Sequence, residues 1–280
     1  MSNTGTIALI ILLVNVVFSY KGFRNEQFFD GYKFDVDKIL INKDYKRLIT
    51  SGFLHVSWTH LIFNMISLIL FSGSVEGYLG GIRFLIIYLA SLVGGNLFTL
   101  LVHKNRGDYS SVGASGAICG IIFASIALFP GMGVGLFLVP ISIPGWLFGI
   151  LFVLYSIYGI KSQRGNIGHE AHLGGGLVGM VLAILMEPSA FPENYLTILI
   201  ITVPTIAFIY IIITRPQFLL IENLFFKKHQ KVYTIDQRYN LEKSNQQKEI
   251  DCILDKINKK GINSLSKSES EKLKEYSKKI

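Results

Sequence analysis

Charge is scarce in this chain, and the scarcity decides its solvent. Only 16% of the 280 residues are charged while half are apolar, and mean hydropathy is +0.45. Runs such as 61–71 and 147–158 carry no charge at all, which the surface of a water-soluble domain does not accommodate. Cysteine is nearly absent: Cys119 lies inside a hydrophobic segment and Cys252 in a polar tail, which excludes a disulfide framework. No basic patch interleaved with base-stacking aromatics occurs. The formal charge of +8 comes from 21–47 and from the stretch after Arg215, so it marks polar connections and excludes a nucleic-acid groove. Internal repeats are missing too.

What is present is a series of apolar segments. A helix needs roughly 17 to 25 mostly apolar residues to cross hydrocarbon, and 5–20, 53–73, 82–102, 114–130, 144–160 and 169–186 meet this, the first being short. A seventh run, 195–214, contains Pro204, which membrane helices tolerate when neighbours satisfy the freed carbonyl; it spans the bilayer or is broken within it. The first segment has neither a basic n-region nor a small-residue cleavage pattern and reads as a retained helix. The expected fold is an all-α polytopic membrane protein located in a bacterial cell or inner membrane, with a six-helix core over 1–187 and a further helix over 188–214. The connection 21–51 mixes Phe23, Phe28, Phe29, Tyr32 and Phe34 with charges of both signs, an amphipathic pattern suited to the headgroup layer. The tail, 215–280, is lysine-rich. Within it Ile250, Ile253, Leu254 and Ile257 recur at helical spacing, Gly261 stops that helix, and Ser266-Lys267-Ser268-Glu269 reads as a capping box opening another. This predicts a helical hairpin over 247–278 that binds an unidentified protein; the competing reading is a solvated tail with transient helicity.

Consecutive spans alternate in direction, so the starts of the second, fourth and sixth lie on one side of the membrane. His60 and Asn64 stand near the start of the second, Ser115 at the start of the fourth and His172 near the start of the sixth. Four polar residues thus converge on one face at similar depth, and intramembrane ionisable groups are read as functional by default. A serine hydroxyl is a poor nucleophile until a neighbouring imidazole removes its proton. Ser115 and His172 supply that pair. His60 and Asn64, at i and i+4 on one helical face, offer N–H donors for a developing oxyanion, and the first-turn amides behind Ser115 add to them. Gly116 and Gly120, and Gly175 and Gly179, form small-xxx-small pairs that let two helices approach closely in lipid. Gly113 belongs to the same glycine set near the site.

On these residues the chain resembles the rhomboid intramembrane serine proteases. His60-Leu61-Ile62-Phe63-Asn64 is similar to their H-x-x-x-N motif, Gly113-Ala114-Ser115-Gly116 to G-x-S-G, Ala171-His172-Leu173-Gly174-Gly175 to A-H-x-x-G, and Glu76-Gly77-Tyr78-Leu79-Gly80 to E-x-x-x-G. The resemblance implies Ser115 as nucleophile, His172 as general base, and His60, Asn64 and the Ser115 amide as oxyanion hole. It further implies a Ser-His dyad without a carboxylate, substrates that are transmembrane proteins, and no metal or organic cofactor. Two departures stand out. The family's Trp-Arg pair in the first loop is here Lys46-Arg47, and the aromatic four residues after the nucleophile is here Cys119, which leaves the imidazole more loosely held.

Four rival readings are weaker. His169-Glu170-Ala171-His172 places its histidines at i and i+3, whereas H-E-x-x-H zinc sites need i and i+4; His169 and Glu170 read instead as boundary residues at a helix start. A non-catalytic rhomboid-like protein that binds membrane clients would ordinarily lack the serine or the histidine. A transporter would show paired interrupted helices with mid-membrane charges. Nor is Gly113-Ala114-Ser115-Gly116-Ala117 a nucleophile elbow, because its last residue is alanine and no strand precedes it. Orientation is contested within the sequence itself. Eleven Lys and Arg lie on the active-site side and Arg83 alone on the other, which points that side at the cytoplasm, while the resemblance implies a site opening outward. The expectation adopted is the outward one, because the first loop also carries five acidic residues and is suited to embedding in the membrane.

Overall fold

The structure, a computed structural model, describes residues 5–135, 142–162 and 168–214, with residues 250, 253, 254, 256, 257, 265, 266, 269, 270 and 273 further on. It falls into two units, Met1–Ile221 and Glu222–Ile280. In the first, the order is α1 (Thr6–Arg24), α2 (Glu26–Tyr32), β1 (Phe34–Asp35), α3 (Val36–Leu40), α4 (Arg47–Thr50), a 3-10 turn (Ser51–Phe53), α5 (Trp58–Leu79), α6 (Gly81–His103), β2 (Ser110–Ser111), α7 (Ser115–Leu128), β3 (Gly133–Gly135), β4 (Ser142–Pro144), α8 (Gly145–Ser162), α9 (His169–Met186) and α10 (Ala190–Thr214). The long helices α1 and α5 to α10 coincide with the seven apolar segments. This is an all-α, multi-pass integral membrane protein. Two antiparallel pairs of very short strands, β1 with β2 and β3 with β4, only pin loops.

Helix α7 organises the rest. After Ser115 every residue of it is buried, so it is the central post, with α9 and α6 packed on it. At 14 residues it is about 21 Å long at 1.5 Å per residue, against roughly 30 Å of hydrocarbon. It is therefore too short to cross the hydrocarbon from face to face.

Several ends differ from the expected ones for local reasons. Helix α1 runs on to Arg24, where Lys21 and Arg24 fall in its last turn and favour the negative end of the dipole. The second span begins at Trp58, five residues late, because Ser57 caps it by accepting from the His60 amide at 3.1 Å and the preceding residues form the 3-10 turn and an extended stretch. Helix α10 passes through Pro204 and is kinked instead at Asn194 (φ −124°, ψ 20°), whose side-chain amide donates to the Ala127 carbonyl at 3.0 Å.

The first loop is a scaffold. Arg47, 5% exposed, donates to Asp44 and to the carbonyls of Asp30 and Lys33, each at 2.8 Å. Ser51 ties the loop to the core: its carbonyl accepts from the Gly113 amide at 3.0 Å, and its hydroxyl accepts from Asn96 of α6 at 3.1 Å. Glu76, buried near the end of α5, accepts from the amides of Ile7 and Ala8 at 2.8 and 3.0 Å, satisfying orphan donors in the first turn of α1 with a carboxylate that also complements the dipole.

In the second unit Ile250 and Ile253 are buried. Ser266 and Glu269 exchange the reciprocal bonds of a capping box at 2.7 and 3.3 Å. Lys256 bridges to Glu269 at 2.7 Å and holds that half-buried carboxyl down to about 2. Gly261 and the full extent of the hairpin lie outside the described residues.

Candidate active site

Ser115 opens α7 and His172 lies in the first turn of α9, and the two side chains meet: Ser115 Oγ and His172 Nε2 are 2.7 Å apart. The approach is a consequence of glycine. A Cβ on Gly175 would overlap the Gly116 carbonyl, and one on Gly179 would overlap the backbone of Gly120. A Cβ on Gly120 would stand 3.0 Å from the Gly175 carbonyl and inside the Ser91 side chain. The α7 and α9 backbones are thus in direct contact over a full turn, as small residues permit in lipid. Gly95 of α6 and Gly116 both pack on the Ala171 carbonyl, one residue before the histidine, so three helices fix the turn that carries it.

Gly113 works differently from its expected role. It is a loop residue with φ +137°, a conformation that L side chains rarely adopt, and it packs no helix on another. A Cβ there would lie 2.9 Å from Cε1 and 3.1 Å from Nε2 of His60. The missing side chain lets the His60 ring sit beside the turn that presents Ser115.

His60, Asn64, Ser115 and His172 all line one cleft of about 560 Å³, whose remaining wall is largely apolar, including Phe63, Phe71, Ile122, Phe148 and Phe152. Asn64 Nδ2 donates one hydrogen to the His60 carbonyl at 2.9 Å, leaving its second for the cleft. The first-turn amides of α7 have no side-chain cap and no intrahelical acceptors. The arrangement sets a hydroxyl against an imidazole, facing donors from two elements.

Nδ1 of His172 is buried without a protein partner, so packing orients this imidazole. The Phe152 ring of α8 is 5.9 Å away, tilted at 38°, and the His169 ring is 5.8 Å away at 75°. An aromatic therefore reaches the histidine from a different helix than the one carrying Cys119, a substitution that no local sequence pattern reveals. Aromatic pairs of this kind contribute about 1 kcal/mol. Phe152→Ala is expected to lower kcat roughly fivefold without abolishing turnover, as read from initial rates of peptide cleavage. Glu170, although two residues from His172, bonds His103 of α6 at 3.2 Å instead, and His103 stacks on Tyr109 at 3.7 Å. Burial pushes the Tyr109 phenol well above its ordinary range, with Glu170 adding to the shift, so it stays neutral. This second polar cluster ties the loop before Ser115 to the helix bearing His172. Among the described residues no group of three His, Cys, Asp or Glu side chains is arranged to hold a metal ion.

Comparison with known proteins gives the family. Residues 42–189 match the Rhomboid domain, and residues 233–279 match a family of unknown function (DUF6576). The chain is 35% identical over 146 residues to the putative rhomboid protease YdcA of Bacillus subtilis, covering 51% of this chain and 68% of that one. It is 32% identical over 150 residues to the mitochondrial Rhomboid protein 1 of Saccharomyces cerevisiae, covering 51% and 43%. With the rhomboid protease GluP of Bacillus subtilis it shares 27% over 207 residues, covering 73% and 39%. The chain spans about half the length of the curated relatives it matches. With the Rhomboid domain covering more than half of its residues, the chain belongs to the rhomboid family.

Proposed function

We propose that this protein is a serine endopeptidase that hydrolyses peptide bonds in or near the transmembrane helices of membrane-protein substrates. The observation that carries the reading is the 2.7 Å contact between Ser115 Oγ and His172 Nε2, made across two helices at the start of a helix too short to span. Ser115 Oγ attacks the scissile carbonyl carbon while His172 Nε2 takes its proton. The tetrahedral oxyanion is met by His60, by the free hydrogen of Asn64 and by the Ser115 amide, donors each worth on the order of 10²-fold to 10³-fold. Collapse breaks the C–N bond as His172 returns the proton to the leaving amine. Water then attacks the acyl-enzyme, giving its proton to His172, and Ser115 is regenerated. A substrate helix must unwind locally, since its carbonyls are otherwise hydrogen-bonded, so helix-breaking or small residues near the scissile bond favour cleavage.

The proposed organisation is a protease core over 1–187, an added helix over 188–214 and a tail over 215–280 that docks a separate protein. The site opens away from the side holding the amino terminus, and the proposed location is a bacterial cell or inner membrane, which the Bacillus subtilis relatives support. The decisive assay uses the purified protein in detergent with a fluorogenic transmembrane peptide. Cleavage should proceed in chelator and fall at least 10⁴-fold in Ser115→Ala; turnover within tenfold of wild type after that substitution would sink the reading.

A further inference from the structure

Behind His60 lies a buried line of polar groups that the dyad does not use. Ser19 of α1 and His55, in the stretch before α5, are each 0% exposed. Ser19 Oγ stands 3.1 Å from the Phe53 carbonyl and 2.9 Å from His55 Nδ1. A hydroxyl has one hydrogen to give. Donated to the Phe53 carbonyl, it leaves a lone pair for His55, so His55 carries its proton on Nδ1 and presents Nε2 as a bare acceptor. The hydrogen-bond pattern thus assigns the tautomer. Burial, with repulsion from His60 second, pushes the His55 pKa down to about 3, so the ring is neutral near pH 7.

On its other side His55 meets His60, ring centroids 4.8 Å apart and planes at 72°. His55 Nε2 and His60 Nδ1 are both buried without a protein partner. Each such atom costs about 1–3 kcal/mol, so an apolar residue at 55 would suit the fold better than the histidine does. A cost that stability does not require, placed against an oxyanion donor, calls for a role in that donor's geometry.

We propose that His55 is a positioning residue for hydrolysis: anchored by Ser19, its ring packs edge-to-face on His60 and holds the His60 imidazole with Nε2 beside Ser115. The inference rests on the reading of Ser115 and His172 as nucleophile and base. From the other side the absent Gly113 side chain gives His60 its room, so the ring is held between a gap cut to fit it and a neighbour anchored by Ser19. His55 touches neither nucleophile nor base and acts only through His60.

His55→Asn tests this, because the asparagine amide can keep the donor to Ser19 while the ring edge against His60 is lost. The expected result is a kcat about tenfold lower, KM within twofold of wild type and an unchanged thermal unfolding midpoint. Ser19→Ala, which frees the anchor and leaves the ring, should cost about threefold. The effect must also vanish where its target is missing. In a His60→Ala background, His55→Asn should change the rate of Ser115 labelling by an excess of fluorophosphonate less than twofold, whereas in Asn64→Ala the tenfold loss should persist. A full loss in the His60→Ala background, no loss in any background, or a fall in rate tracking the unfolding midpoint would each overturn the proposal. Failure of the underlying reading shows separately, as peptide cleavage by Ser115→Ala within tenfold of the wild-type rate.

Discussion

The double variant Ser115→Ala/His172→Ala is expected to cleave a transmembrane peptide no more slowly than Ser115→Ala alone, with every one of the three variants at least 10⁴-fold below wild type. In the proposed mechanism the two residues share one proton path. With Oγ and Nε2 at 2.7 Å, the imidazole has no hydrogen to remove once the hydroxyl is gone, and the hydroxyl has no acceptor once the imidazole is gone. Groups that act as a unit are grossly non-additive. What survives is stabilisation of an oxyanion by His60, Asn64 and the first amides of α7, acting on attack by water. Long incubations at high enzyme concentration, with product counted by mass spectrometry, give the residual rates. His172→Ala within tenfold of wild type would mean another base serves Ser115. Losses that multiply would mean that the two side chains work in separate steps.

Much of this site is legible in the sequence because direction and period are forced. Spans alternate in direction, so Ser115, His172 and the His60-Asn64 pair had to reach one side, and a period of 3.6 put Gly175 and Gly179 on the face that carries His172 toward α7. Other parts depend on pairings that no period predicts. Glu76 was visible as one residue of a motif, but its partners are the amides of Ile7 and Ala8, nearly seventy residues away. His55 sits in an irregular stretch, where side-chain direction follows from the turn and from the bond to Ser19 rather than from helical phase. Phe152 belongs to an apolar run in which several aromatics compete, and only the packing of α8 beside α9 selects it to face His172. Glu170 shows the same limit from the other direction. Two residues from the histidine in sequence, it turns to α6 and His103 because residues two apart on a helix point to different faces.

Gly179→Val should leave Ser115 and His172 chemically intact and yet abolish most activity. A Cβ at residue 179 would overlap the oxygen and both carbons of the Gly120 backbone, atoms with no rotamer to swing away, so α9 itself must shift. Overpacking in a filled core costs typically 1–3 kcal/mol, and a β-branched side chain against backbone belongs at or above the top of that range. The unfolding midpoint in detergent should fall by several degrees. The loss of rate is expected to be larger than the loss of folded protein explains, on the order of 10²-fold, because about 1 Å of displacement at a reacting pair costs that much and the 2.7 Å contact leaves no slack. Gly77→Val on α5, a helical position with nothing within 4 Å of a Cβ, is the control for β-branching alone and should unfold and react nearly as wild type does. Fluorophosphonate labelling separates the two losses, since it counts only folded protein with a working nucleophile. If Gly179→Val labels and cleaves as fast as wild type, then α7 and α9 have room that the backbone contact denies, and the short reach between the serine and the histidine does not depend on glycine.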